Sequence, residues 1–184
     1  GLSLVGGAEY DVQESEVTVG FGGNQEIKTT SGSGLIQLDF LDNLTLNVGA
    51  RYDSSDEFGS ETTFSASAAF TVPTLGTILR GSFSEGFRAP TAGELGFNPD
   101  LFAEFSEGWD VGLEQPLANG RVRLTTTYFD QSIDDLIAFD LGAFTFVNVQ
   151  EFESKGVEIA LDADVYDWLT FRGAYTYVDA TNVT

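Results

Sequence analysis

Carboxylates dominate the reactive groups of this sequence. Asp and Glu number 29 against 8 Lys and Arg, a formal charge of −21, and there is no Cys and no His. That composition removes disulfides, thiolate and imidazole metal sites, and the Cys-His and Ser-His-Asp nucleophile systems. Paired carboxylates can carry out glycosidase chemistry. Here Asp110, Glu114, Glu158, Asp162 and Asp164 recur on several segments without a defined pocket, so no catalytic residue is assigned and no enzyme is expected. Oxygen ligands suited to Ca²⁺ occur at Asp53, Asp56 and Glu57, and again at Asp130, Asp134, Asp135 and Asp140. Neither set has the EF-hand spacing or its glycine at the sixth position. Calcium at Asp53, Asp56 and Glu57 therefore stays a candidate only, and no other metal or cofactor is expected. The acidity rules out a basic nucleic-acid footprint and equally suits a salt-rich habitat.

The elements that hold these groups read as strands. The chain of 184 residues is long enough for one domain, and 42% hydrophobic residues with 16 Phe, 6 Tyr and 2 Trp argue against disorder. No apolar run of about 18 residues exists, so no transmembrane helix is expected, nor is a signal peptide visible. The chain starts at Gly1 and contains no Met, as expected of a partial segment. Twenty-one Gly, four Pro and a periodicity of two predict nine strands, near 2–12, 35–41, 44–52, 63–72, 77–86, 107–115, 121–130, 153–165 and 168–178. Short turns at Asp42-Asn43, Pro73 to Gly76, Leu117 to Gly120 and Tyr166-Asp167 alternate with longer loops at 13–34, 53–62, 87–106 and 131–152. In an up-and-down meander, every second connection falls at the same end. One end is thus tight and the other elaborated, as in outer-membrane barrels.

Sorted by parity, one face carries Leu4, Tyr10, Leu38, Val48, Phe64, Phe70, Trp109, Val122, Leu124, Ile159 and Tyr175, and is expected to be free of charge. The other face holds Glu9, Asp39, Arg51, Arg80, Asp110, Glu114, Arg123, Asp162 and Arg172. The apolar face either packs as the core of a soluble sandwich or meets lipid. Strand length favours lipid: about ten residues, tilted near 45°, span roughly 23 Å, the height of a barrel's apolar band. Aromatics near both strand ends add the pattern of two interfacial girdles.

Residues 82–115 carry the most distinctive motifs: Glu85-Gly86-Phe87-Arg88-Ala89-Pro90-Thr91, then Asn98-Pro99-Asp100-Leu101, then Glu104, Ser106, Asp110, Gly112, Leu113 and Glu114. YFDQSIDDLIAF (128–139), VNVQEFESKGVEIAL (147–161) and AYTYVDA (174–180) follow in order. From Leu35 to Ala180 the chain resembles the barrel of TonB-dependent outer-membrane receptors. Each piece is a weak signal, and the whole set in the right order is a strong one.

The resemblance implies an all-β fold: an antiparallel up-and-down meander making about nine strands of a 22-stranded barrel. Residues 1–184 would be one partial barrel domain, with the plug domain and closing strands absent. The implied function is barrel wall and extracellular loops of a receptor for active uptake of a scarce ligand, such as a ferric siderophore or cobalamin. A soluble structural or adhesive β-sandwich and a passive porin are the alternatives. The implied partners are outer-membrane lipid, the TonB system through the plug, and a small molecule such as a metal chelate. The implied location is the outer membrane of a Gram-negative bacterium. Arg88, Glu94 and Asp100 are the candidate ligand-binding residues, although Arg88 is expected chiefly to pair with Glu85 or Glu94 and fix the loop. Phe102-Ala103 departs from the Lys-Pro-like pair of many relatives, which leaves the ligand class open.

Overall fold

The computed structural model describes residues 1–17 and 23–183. They form one antiparallel sheet in which nine strands follow chain order. The strands are β1 (Leu2–Val17), β2 (Gly23–Phe40), β3 (Leu44–Ser55), β4 (Gly59–Thr71), β5 (Ile78–Arg88), β6 (Glu104–Leu117), β7 (Val122–Asp140), β8 (Thr145–Tyr166) and β9 (Leu169–Val183). A six-residue helix, α1 (Ala92–Phe97), lies between β5 and β6. No second sheet covers either face among the described residues, which excludes the sandwich.

Register turns the face pattern into continuous bands. Leu38 pairs with Leu2 and Leu46, Phe70 with Leu44 and Leu79, Phe83 with Trp109, and Leu124 with Leu161. Val122 shares that face through Ala163, while Arg123 pairs with Asp162 on the other. Along β4 the apolar positions Phe64, Ala66, Ala68 and Phe70 are the more exposed ones. The apolar side is therefore the convex side, and the polar side is concave. Apolar stretches such as Leu44 to Tyr52 and Val157 to Val165 run about nine residues, which at a 45° tilt rise roughly 21 Å. Trp109 and Tyr128 meet at 5.4 Å on the upper rim, and Tyr166 stacks on Trp168 at 5.6 Å on the lower one.

Four expectations need correction. The long segments at 13–34 and 131–152 are mostly strand: β1–β2 pairing covers all their described residues on those strands, and β7–β8 pairing reaches Asp140 and Thr145. Residues 18–22 of the first segment lie outside the described residues. On these extensions polar and apolar residues mix on both faces, Ile27, Ile137 and Phe146 among them, so the period-two contrast fades while the backbone ladder continues. Segment 53–62 shrinks to a turn at Asp56–Phe58, and segment 87–106 carries α1. Arg121 and Trp168 sit in turns, just outside β7 and β9. Finally, the apolar face is not free of charge: the outer ends of the predicted strands themselves carry it. Glu85 pairs with Glu107 one step above Phe83 and Trp109, and Asp130 pairs with Lys155, itself opposite Asp179. Charge begins directly beyond the Phe83–Trp109 pair.

The tight end is as expected, since the meander places the turns at 41–43, 72–77, 118–121 and 167–168 together. The first is a hairpin turn with Leu41 and Asp42 at φ +52° and +57°, a conformation matched to the twist of the strands.

The buried apolar cluster lies at the opposite end, outside the apolar band. Ile27, Ala92, Leu95, Leu101 and Ile137 form it, with Phe58 and Phe146 packed against them. It draws on β2, the β3–β4 turn, α1 and its flank, β7 and β8. The α1 segment thus locks the elaborated ends of these hairpins to one another.

Candidate ligand vestibule

Arg88 ends β5 on the concave side and faces Glu104, the first residue of β6. Its Nε donates to Glu104 Oε2 and its Nη2 to Oε1, both at 2.7 Å. Its Nη1 reaches Glu94 Oε2 at 3.1 Å. Glu104 Oε1 also accepts the Ile137 N–H at 2.6 Å. One guanidinium therefore joins β5, β6 and α1, and Glu104 ties that junction to β7.

The loop is built to hold this geometry. Pro90 is fully buried. Thr91 caps α1 reciprocally with Glu94: the Glu94 N–H donates to Thr91 Oγ1 at 3.3 Å, and the Thr91 N–H donates to Glu94 Oε2 at 2.7 Å. Beyond the helix, Asn98 Nδ2 donates to the Phe146 carbonyl at 2.9 Å. Asn148 accepts the Phe102 N–H at 2.9 Å and donates to the Asp135 carbonyl at 2.6 Å. Phe97 and Phe139 pack edge-on against Phe146.

Electrostatics follow the geometry. The hydrogen bonds that Arg88 donates to Glu104 raise the Arg88 pKa above its ordinary value, against the desolvation that would lower it. Burial pushes the Glu104 carboxyl up, but the Arg88 guanidinium and the Ile137 N–H outweigh it, and its pKa lies below the usual carboxylate range. Both side chains are held charged by each other.

The three candidate binding residues separate. Arg88 and Glu94 are occupied by the clamp, while Asp100 is exposed, with its N–H held by Asn98 at 3.0 Å. Glu85, an expected partner of Arg88, instead accepts the Phe64 N–H at 3.0 Å, where the β4–β5 ladder stops. Asp100 borders a cavity of about 410 Å³ lined by Glu57, Phe58, Leu95, Pro99, Leu101 and Phe102. Among the calcium candidates, Asp53 is engaged by Arg51 and by the Ser31 hydroxyl, and Asp56 accepts the Lys28 N–H at 2.9 Å. Glu57 lies at the cavity, and no group of three carboxylates among the described residues converges as a metal cage. Sequence reasoning missed Glu104, Asn148 and Phe58 as parts of the site. Glu104 stood in the quoted motif, but only strand register puts it opposite Arg88.

Lower on the concave face, Arg123 pairs with Glu114 at 3.2 Å and Arg172 with Asp162 at 3.2 Å. Both pairs reach from one strand to its neighbour along the concave wall. Arg80 instead donates to Thr127, and Arg121 pairs with Asp167 in the next turn.

Comparison with known proteins places this architecture. The siderophore receptor PirA from Pseudomonas aeruginosa superposes with TM-score 0.85 at 19% identity, over 97% of this chain and 37% of that one. A mutant ferric enterobactin receptor, PfeA, from Pseudomonas aeruginosa in complex with enterobactin gives 0.84 at 16%, over 96% and 33%. The copper transporter OprC gives 0.77 at 13%, over 98% and 35%. The chain spans about a third of the length of these structures. A family model for the TonB-dependent receptor-like β-barrel matches residues 3–184. With its nine-stranded meander, polar concave wall and EGFRAPT clamp, the chain belongs to the TonB-dependent receptor β-barrel family.

Proposed function

We propose that this chain forms the ligand-facing wall and outer loops of a receptor that takes up a scarce metal chelate or metal ion across a Gram-negative outer membrane. Energy would reach it from TonB through a plug domain elsewhere in the parent protein. The observation that carries the reading is α1, held by Arg88, Glu94 and Glu104 above a polar concave wall. That arrangement positions a loop surface over a wet lumen, which supports binding and transport as its role. The convex band of Val48, Phe64, Val111 and Phe171 would meet lipid. The free edges of β1 and β9 would pair with further strands, because an unpaired edge in hydrocarbon costs several kcal/mol per polar group.

The test is energy-dependent uptake by the full-length receptor, expressed in cells lacking their own receptors. Ferric hydroxamate, ferric catecholate and copper(II) are offered as radiolabelled probes, and whichever accumulates should do so only when TonB is present. Uptake indifferent to TonB would make the protein a passive porin.

A further inference from the structure

This inference rests on the receptor reading and concerns the charge of the cargo. On the concave face of the outer half, the described strands carry two cations, Arg51 and Arg88. Both are spent. Arg51 pairs with Asp53 at 2.9 Å and Glu9 at 3.3 Å, and Arg88 is clamped by Glu94 and Glu104. Lys28 and Lys155 have the parity of the apolar, convex side, opposite Val12 and Asp130. The remaining arginines, Arg80, Arg121, Arg123 and Arg172, cluster toward the tight-turn end. The concave wall is therefore negative at its outer half, and near balance lower down, where arginines alternate with Glu114, Asp162 and Asp167.

The cavity beside α1 has the same sign. Phe58, Leu95, Pro99, Leu101 and Phe102 supply an apolar floor, with Phe102 68% exposed. Glu57 and Asp100 are the charged groups on its lining, and both are exposed. An aromatic surface flanked by carboxylates, beside an outer wall whose two described arginines are both paired, attracts a positively charged amphipathic molecule and repels an anion.

We propose that the cargo is a positively charged metal complex with an apolar backbone, seated on Phe58 and Phe102 between Glu57 and Asp100. This separates the chain from receptors of trianionic ferric catecholates, whose cargo would meet only repulsion here. The vestibule raises the local concentration of a cation and thereby speeds its capture, an effect that salt weakens.

The experiment uses the full-length receptor in detergent and three ferric probes. They are a monocationic linear trihydroxamate bearing a free amine, a neutral trihydroxamate, and a trianionic tris-catecholate. The cationic complex should bind tightest, with affinity falling several-fold as ionic strength rises. Glu57→Gln and Asp100→Asn should each weaken it up to about fivefold and leave the neutral probe unchanged. Asp42→Asn, at the tight-turn end, serves as a charge control and should change nothing. Equal or tighter binding of the neutral or trianionic probe, or insensitivity of the cationic one to both substitutions, would overturn the inference. TonB-dependent uptake of the tris-catecholate would overturn it while leaving the receptor reading intact; uptake of every probe without TonB would remove the receptor reading as well.

Discussion

Arg88 and Glu104 face each other across the β5–β6 ladder and share two parallel hydrogen bonds of 2.7 Å, the fork geometry available to arginine but not to lysine. The remaining guanidinium nitrogen holds Glu94, so this pair sets where α1 sits. Glu104→Gln should loosen α1 without unfolding the sheet. The expected loss is about 1–3 kcal/mol of local stability, near the low end because the Arg88 side chain is 43% exposed and screened by solvent. Hydrogen exchange of residues 90–103 in the full-length receptor should accelerate, while that of 44–52 stays constant. Unchanged protection of 90–103 would refute the clamp.

Acid should act through the same group. The folded pKa of Glu104 is depressed, so its contribution is full above the unfolded carboxylate value, near 4.3. It is lost as pH falls through the lower folded value. Protection of α1 should therefore be flat from pH 8 to about 5.5 and decline below roughly pH 4. Loss on the alkaline side instead would assign the latch to another group.

Leu124 pairs with Leu161 in the middle of the convex band. Leu124→Arg should cost about 2–4 kcal/mol at the bilayer midplane, whereas Thr125→Arg, on the concave side, should cost far less. Heat-modifiable gel mobility and refolding into vesicles measure the difference. A spin label at position 124 that reports water in membranes would reverse the face assignment.

Gly156 sits opposite Phe129, whose ring covers it, and a β-carbon there would collide with the Tyr177 carbonyl as well as with that ring. Backbone cannot yield as a side-chain tip does. Gly156→Ala should destabilise the β7–β9 region by about 1–3 kcal/mol, and a shortened ring, Phe129→Leu, should partly relieve it. Wild-type stability in the single variant would show that the strands can spread.

Position in the sequence alone determined the two faces, the four tight turns and the order of the motifs. Each depends on neighbours within a few residues: side chains alternate every residue, and turn conformations select their own residue types. Val122 and Arg123 fall on opposite faces whatever surrounds them. Tertiary structure decided the rest. The outer reach of β1, β2, β7 and β8 was hidden, because polar and apolar residues mix on both faces there and the alternation on which strand reading relies is lost. The partner of Arg88 was hidden because Glu104 is 16 residues away and becomes its neighbour only through strand register. The outer cluster of Ile27, Phe58, Leu95 and Ile137 joins four separated hairpins, and local pattern carries no information on which of them will meet. Register and loop closure are long-range choices made by the summed packing of the whole wall, and they set where Glu57 and Asp100 stand.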